Sequence, residues 1–101
     1  EFLKRFYNNK LNVSDETVNS VKEILIQEQR KQYKLSAKTG AGTGIDITNP
    51  ERALGWYVGY IEKSENVVYF AMNIEGESFN EILAPRIEIT RKILKELRII
   101  D

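Results

Sequence analysis

Apolar side chains recur with the period of a helix in three parts of the chain. They lie three or four residues apart, so they share one face of each helix. The predicted helices cover about residues 1–9, 15–29 and 85–98. Ser14 precedes the second helix as a favourable N-cap, and Pro85 suits the first turn of the third. The apolar positions are Phe2, Leu3 and Phe6, then Val18, Val21 and Leu25 with Ile24 beside them, then Ile89, Ile93, Leu97 and Ile100 with Leu94 alongside.

Three other segments are rich in β-branched, aromatic or alternating residues, which is typical of strands. The predicted strands cover about residues 32–39, 54–63 and 66–74. The last two are joined by a short turn and form an antiparallel hairpin, in which Gly55 and Gly59 leave room for a helix or a neighbouring backbone. Turn-forming residues predict loops over 40–50 and 75–83. The fold class is therefore α+β, an antiparallel three-stranded sheet flanked by helices.

Length and composition set the limits of what the chain does. Its 101 residues form one domain or part of a larger one. Lysine and arginine number 15 and acidic residues 15, and this zero net charge argues against a nucleic-acid partner. The chain has no cysteine and no histidine, so it lacks thiolate nucleophiles and the usual metal ligands, and we expect no metal or cofactor. No apolar run approaches the ~20 residues of a membrane span.

The first candidate site is Lys38-Thr39-Gly40, where a predicted strand enters a flexible loop. The exposed edge of such a strand pairs with an extended ligand through backbone groups, while lysine supplies charge and threonine a hydroxyl. The tripeptide occurs in serine enzymes that recognise penicillin. Taken alone, it also fits an ordinary strand end. The glycines at 40–44 do not form a phosphate loop, because the lysine precedes them and a strand follows.

Two further sets of residues have a structural and a functional interpretation. Arg86 lies at the predicted start of the last helix, where the helix dipole disfavours a cation, and a guanidinium binds a carboxylate through two hydrogen bonds. A solvated arginine is the structural alternative. Aromatic residues on the two hairpin strands resemble a stacking platform, but sheet packing explains them better. They are Trp56, Tyr57, Tyr60, Tyr69 and Phe70.

Taken together, the motifs resemble the C-terminal part of a class D (oxacillinase-type) serine β-lactamase. The matching stretches are residues 33–40 (YKLSAKTG), 55–62 (GWYVGYIE) and 69–73 (YFAMN). The helical residues 2–25 also resemble the helices that precede K-T-G in that family. This resemblance implies the C-terminal part of a β-lactamase/transpeptidase-like fold, and it extends over essentially the whole chain.

The resemblance also implies roles for particular residues. Lys38 corresponds to the K-T-G lysine, which adds positive charge and assists proton transfer, and Thr39 and Gly40 correspond to substrate-binding positions. Ala41 corresponds to the residue whose backbone N–H forms half of the oxyanion hole. Many family members carry a bulky aromatic residue there. Arg86 aligns with the arginine that pairs with the ligand carboxylate, which favours the functional interpretation of that residue.

The reactive centre of the family has no counterpart in this chain. The nucleophile belongs to an S-x-x-K motif and a second serine to S-x-V, and neither motif occurs here. The residues three positions after the serines are Thr17, Glu23, Thr39, Val67 and Glu81. Because the chain also opens with a helical pattern at Glu1, we expect a piece of a longer protein that is inactive by itself. An exposed apolar face would make it associate with the N-terminal remainder of its domain, or form a homodimer or swapped dimer.

Three functions remain open on the sequence. The first is part of a β-lactam hydrolase that acts on β-lactam antibiotics through an acyl-enzyme. The second is the penicillin-binding sensor domain of a β-lactam-responsive receptor, which is acylated without turnover. The third is a non-catalytic module that only folds or associates. By resemblance, the protein is periplasmic or secreted.

Overall fold

A computed structural model describes residues 1–101 and confirms the α+β class. It contains one four-stranded antiparallel sheet of order β1-β2-β3-β4, which has one strand more than predicted. No helix is long and apolar enough to cross a membrane. The elements are α1 (Phe2–Tyr7), α2 (Asp15–Leu25), β1 (Ile26–Gln29), β2 (Lys34–Thr43), β3 (Ala53–Glu62), β4 (Val67–Gly76) and α3 (Phe79–Glu96).

The additional strand β1 replaces the last turn of the predicted second helix. The helix ends at Leu25, and Ile26 already has an extended backbone with ψ of 120°. From there the chain pairs antiparallel with β2, in a register that joins Ile26 to Ser36 and Gln29 to Lys34 with an irregularity between. The prediction of helix to residue 29 was wrong because this pairing supplies the backbone hydrogen bonds that a further helical turn would otherwise make.

Helix α3 begins six residues before its predicted start at residue 85. The prediction of a loop over 75–83 was therefore wrong, and Pro85 lies inside the helix instead of in its first turn. A proline there leaves the carbonyl of Glu81 without its helical donor, and Glu81 is exposed to water. In return, the earlier start buries Ile82 completely. The burial of a large aliphatic side chain outweighs one lost hydrogen bond.

The face of α3 that is buried also differs from the predicted one. Ile82, Thr90 and Leu94 are buried, whereas Ile93 and Leu97 are 51% and 63% exposed. Ile89 is likewise exposed, and of the predicted face only Ile100 is buried. The apolar arc of the helix is wider than the surface that the sheet offers, so periodicity alone did not indicate which part is covered.

The chain divides into two compact units. One consists of Glu1–Ala37 with Gly59–Phe70, and the other of Lys38–Val58 with Ala71–Asp101. The core of the first unit is built on Phe6, Val18 and Tyr60, against which Tyr7, Leu11, Leu25, Val67 and Tyr69 pack. The rings of Tyr7 and Tyr60 meet edge to face with centroids 4.9 Å apart. Burial raises the pKa of Tyr60, so its hydroxyl stays protonated at neutral pH.

The turns of the first unit follow the sequence closely. Ser14 caps α2 as predicted, because its Oγ accepts a hydrogen bond from the backbone N–H of Thr17 at 3.2 Å. Helix α1 ends at Asn8, and Asn9 has the left-handed φ of 56° that asparagine tolerates. The backbone N–H of Lys10 then donates to the carbonyl of Arg5 at 2.7 Å, which closes a Schellman motif.

Helix α3 ends with the same motif, but its left-handed residue is Arg98, with φ of 60°. The N–H of Ile99 donates to the carbonyl of Leu94 at 2.9 Å.

Replacing Arg98 by glycine is expected to raise the free energy of unfolding by about 0.5–1 kcal/mol, because glycine adopts this backbone without a Cβ clash. Urea unfolding of the full-length protein measures the change. Lys95→Gly, inside the last turn, is the matched control and should lower stability by up to ~1 kcal/mol; a loss in both variants would contradict the prediction.

Candidate functional site

The Lys38-Thr39-Gly40 segment lies in the middle of β2, at the point where one edge of that strand loses its partner. The register with β1 reaches only Lys34, Leu35 and Ser36. Strand β2 continues to Thr43, so the prediction of a loop from residue 40 was wrong for its first residues. Small side chains from Gly40 onward fit the sheet without crowding. The outcome is an extended, exposed strand edge able to pair with a ligand.

Arg86 reaches this strand from α3. Its Nη1 donates to the carbonyl oxygen of Gly40 at 3.0 Å, although the two residues are 46 positions apart. Arg86 is the eighth residue of α3 and not at its start, which corrects the predicted placement. The structure therefore brings together the two segments, K-T-G and Arg86, that the sequence singled out separately.

A glycine in β3 makes this reach possible. A Cβ built on Gly55 would lie 3.5 Å from Cδ of Arg86 and 3.1 Å from Cδ1 of Ile82. The absence of a side chain lets α3 lie close to β3 and lets the stem of Arg86 cross the strand. This confirms the prediction that Gly55 leaves room for a helix. At Gly59 the neighbour is backbone instead, since a Cβ there would lie 2.8 Å from Cα of Ala37.

Some polar groups of the site have no hydrogen-bond or ion-pair partner within the protein. The buried Nε of Arg86 has no hydrogen-bond partner. Lys38 is exposed, and its Nζ donates to the carbonyl of Thr39 at 2.7 Å. Neither cation takes part in the ion pairs that Arg52 forms with Glu75 and Glu77 in this unit. Two cations without a carboxylate partner suit a ligand that carries an anionic group.

Ala41 follows the motif on the same strand and is exposed. Its backbone N–H is the group to which the family resemblance assigns an oxyanion role. The serine of this strand does not serve as a nucleophile, because Ser36 is buried. The geometry thus supplies donors and charge to a ligand but no attacking group.

Trp56 is a site residue that sequence reasoning missed. Tyr57 and Tyr60 are buried as expected of sheet packing, but Trp56 is 41% exposed. A Cβ on Gly40 would lie 3.8 Å from Cβ of Trp56, so the Trp56 side chain starts beside the K-T-G segment. Alternation along β3 was the available signal, because Gly55 faces the helix and its neighbour must face the other side of the sheet.

Three comparisons with known proteins agree with this geometry. A profile of the penicillin binding protein transpeptidase domain matches residues 2–95. The chain is 38% identical to the β-lactamase OXA-48 of Klebsiella pneumoniae over 99 residues, which cover 98% of this chain and 35% of that protein. It is 33% identical to the methicillin resistance mecR1 protein of Staphylococcus aureus over 98 residues, 97% of this chain and 16% of that protein. The class D β-lactamase structure from Sebaldella termitidis superimposes with a TM-score of 0.83 at 37% identity, covering 99% of this chain and 40% of that one.

The chain belongs to the penicillin binding protein transpeptidase domain family. Within it, both the sequence relatives and the solved structures include class D β-lactamases, which confirms the resemblance derived from the motifs. The chain spans 35% of the length of OXA-48.

Proposed function

We propose that the full-length protein that carries this chain is a serine β-lactam hydrolase of class D. The observation that carries the proposal is the hydrogen bond from Arg86 to Gly40, which places a guanidinium beside the K-T-G strand. There it binds the carboxylate of a β-lactam antibiotic together with the Thr39 hydroxyl. Lys38 adds positive charge and assists proton transfer, and the N–H of Ala41 stabilises the oxyanion. One such donor is worth ~2.7–4 kcal/mol in the transition state.

The attacking serine is supplied by residues outside 1–101. Its Oγ forms a bond to the lactam carbonyl carbon, the C–N bond of the ring breaks, and the nitrogen takes up a proton. Water then attacks the ester carbonyl and releases the serine. Residues 1–101 form one wall of the pocket in which both steps occur.

The partner of this chain is the N-terminal remainder of its own domain. In the first unit Phe2 and Ile24 are exposed, and in the second Ile93 and Leu97 are exposed, all to more than half of their surface. Exposed apolar side chains of this size favour association. In the isolated chain, a homodimer or swapped dimer would bury the same apolar side chains. The protein acts in the periplasm or outside the cell, where its substrates are found.

A sensor domain is the second candidate function. It is favoured by the similarity to the mecR1 protein over 97% of this chain. Such a domain has the same K-T-G strand and is acylated but does not release the product. The two functions differ in deacylation, and the groups that activate the deacylating water lie outside residues 1–101.

Turnover of a chromogenic cephalosporin tests the proposal. The full-length protein is expected to hydrolyse it continuously, whereas a chain of residues 1–101 should show no hydrolysis above the buffer rate because it lacks a nucleophile. The assay follows absorbance and, in parallel, covalent labelling by mass spectrometry. A single turnover with a stable acyl adduct would indicate the sensor. Neither hydrolysis nor an adduct from the full-length protein would indicate a non-catalytic module, and hydrolysis by residues 1–101 would overturn the assignment of the nucleophile.

A further inference from the structure

Glu77 connects two loops of the second unit. It lies between β4 and α3, and its two carboxylate oxygens accept from different residues of the β2–β3 connection. Arg52 Nη1 donates to Oε1 at 2.8 Å, and Asn49 Nδ2 donates to Oε2 at 2.9 Å. A carboxylate that uses both oxygens in this way restrains direction as well as distance.

The β2–β3 connection is itself folded, so holding two of its residues restrains the whole segment. Asp46 accepts from the backbone N–H of Thr48 at 2.9 Å and from its hydroxyl at 2.6 Å. The N–H of Asn49 donates to the carbonyl of Asp46, and the N–H of Arg52 to that of Asn49. The hydrogen bond from the Thr48 hydroxyl lowers the pKa of Asp46, which keeps the carboxylate ionised at neutral pH.

On its other side, the Glu77 turn is tightly joined to α3. The backbone N–H of Glu77 donates to Oε2 of Glu81, in the first turn of that helix. A Cβ built on Gly76 would lie 2.8 Å from Cγ2 of Ile82, so the turn lies directly against the helix. The next turn of α3 carries Arg86, which donates to Gly40.

These contacts form a closed path that begins and ends on the K-T-G strand. One series of contacts leads from β2 through the β2–β3 connection to Arg52 and Glu77. A second series of contacts leads from Glu77 through α3 and Arg86 back to Gly40. We propose that Glu77 is a positioning residue for substrate binding: it fixes the end of β2 and the Arg86 guanidinium relative to each other without touching the ligand. This role rests on the proposed function.

The test is steady-state hydrolysis of a chromogenic cephalosporin by the full-length protein and its variants. Glu77→Ala is expected to raise KM by about 2- to 5-fold, which corresponds to the loss of an exposed ion pair, and to leave kcat within about twofold. The change falls on KM because the carboxylate contact is made in both the ground state and the transition state. Glu75→Ala is the matched control, since Glu75 makes only a 4.0 Å ion pair with Arg52, whereas the hydrogen bonds to the connection are those of Glu77. Its KM should remain that of the wild type.

A second variant separates positioning from a merely structural role. In the double variant Arg52→Glu with Glu77→Arg the ion pair is reversed, and KM is expected to recover at least half of the loss. A structural role would lower the melting temperature and the active fraction but leave KM unchanged. If the wild type hydrolyses the substrate and Glu77→Ala has the same KM, the positioning role of Glu77 is overturned and the proposed function is not. Absence of both hydrolysis and acylation in the wild type overturns the proposed function and this role with it. If the wild type is only acylated, the apparent acylation affinity takes the place of KM.

Discussion

Replacing Arg86 by alanine in the full-length protein is expected to lower kcat/KM for a carboxylate-bearing β-lactam by about 100- to 1,000-fold, the usual loss on truncating one partner of a buried charge pair. The guanidinium is half-buried, and its Nε has no protein partner. A ligand carboxylate would bind at the exposed Nη side of the guanidinium, because Nε itself is buried. Without Arg86 the bound carboxylate is desolvated and unpaired, and the hydrogen bond that holds Gly40 is lost as well.

The measurement is the initial rate of hydrolysis over a range of substrate concentrations. Arg86→Lys retains the charge but loses the planar two-point geometry, so its kcat/KM should fall between those of the wild type and the alanine variant. Lys92→Ala removes a cation from an exposed position of α3 and is the matched control, with rates expected within twofold of the wild type. A loss below threefold in Arg86→Ala would exclude the carboxylate contact.

Replacing Gly59 by alanine is expected to destabilise the full-length protein by about 3 kcal/mol or more, which is at the upper end of overpacking effects. A Cβ at this position would lie 2.8 Å from Cα and 2.9 Å from Cβ of Ala37. Backbone cannot rotate away as a side chain does, so β2 must separate from β3 at the residue just before Lys38.

Urea unfolding of the full-length protein measures this loss as a lower transition midpoint. Gly42→Ala is the control, because nothing lies within 4 Å of a Cβ there and its φ is not in the left-handed region. That variant should be neutral or more stable by up to ~1 kcal/mol through the entropy of the unfolded chain. Equal stability of the two alanine variants would show that β2 and β3 are not held as closely as described.

Elements with strong local signals were predicted well from the sequence. Ser14 caps α2, and the hairpin of β3 and β4 begins and ends within two residues of its prediction. In these cases the energetic preference comes from neighbouring residues, such as a hydroxyl beside free N–H groups or a short turn between apolar strands.

Elements that depend on distant contacts were predicted poorly. Strand β1 has the polar composition Ile-Gln-Glu-Gln and forms because β2 lies alongside it. The start of α3 was misplaced because Pro85 is a strong local signal for a first turn, and the burial of Ile82 overrides it. Trp56 was assigned to the core because aromatic content does not indicate which face of a strand is covered.

The sequence by itself determined the family, the α+β class and the identity of Lys38, Thr39, Gly40, Ala41 and Arg86 as candidate site residues, since side-chain chemistry and motif spacing are properties of the chain. Only the tertiary structure decided that Arg86 reaches Gly40, that Trp56 flanks the same strand and that Glu77 holds the connection between β2 and β3. Each of these contacts joins residues 16 to 46 positions apart. Local backbone preferences do not determine contacts between residues so far apart in the sequence. The packing of α3 against Gly55 and the pairing of the strands determine them.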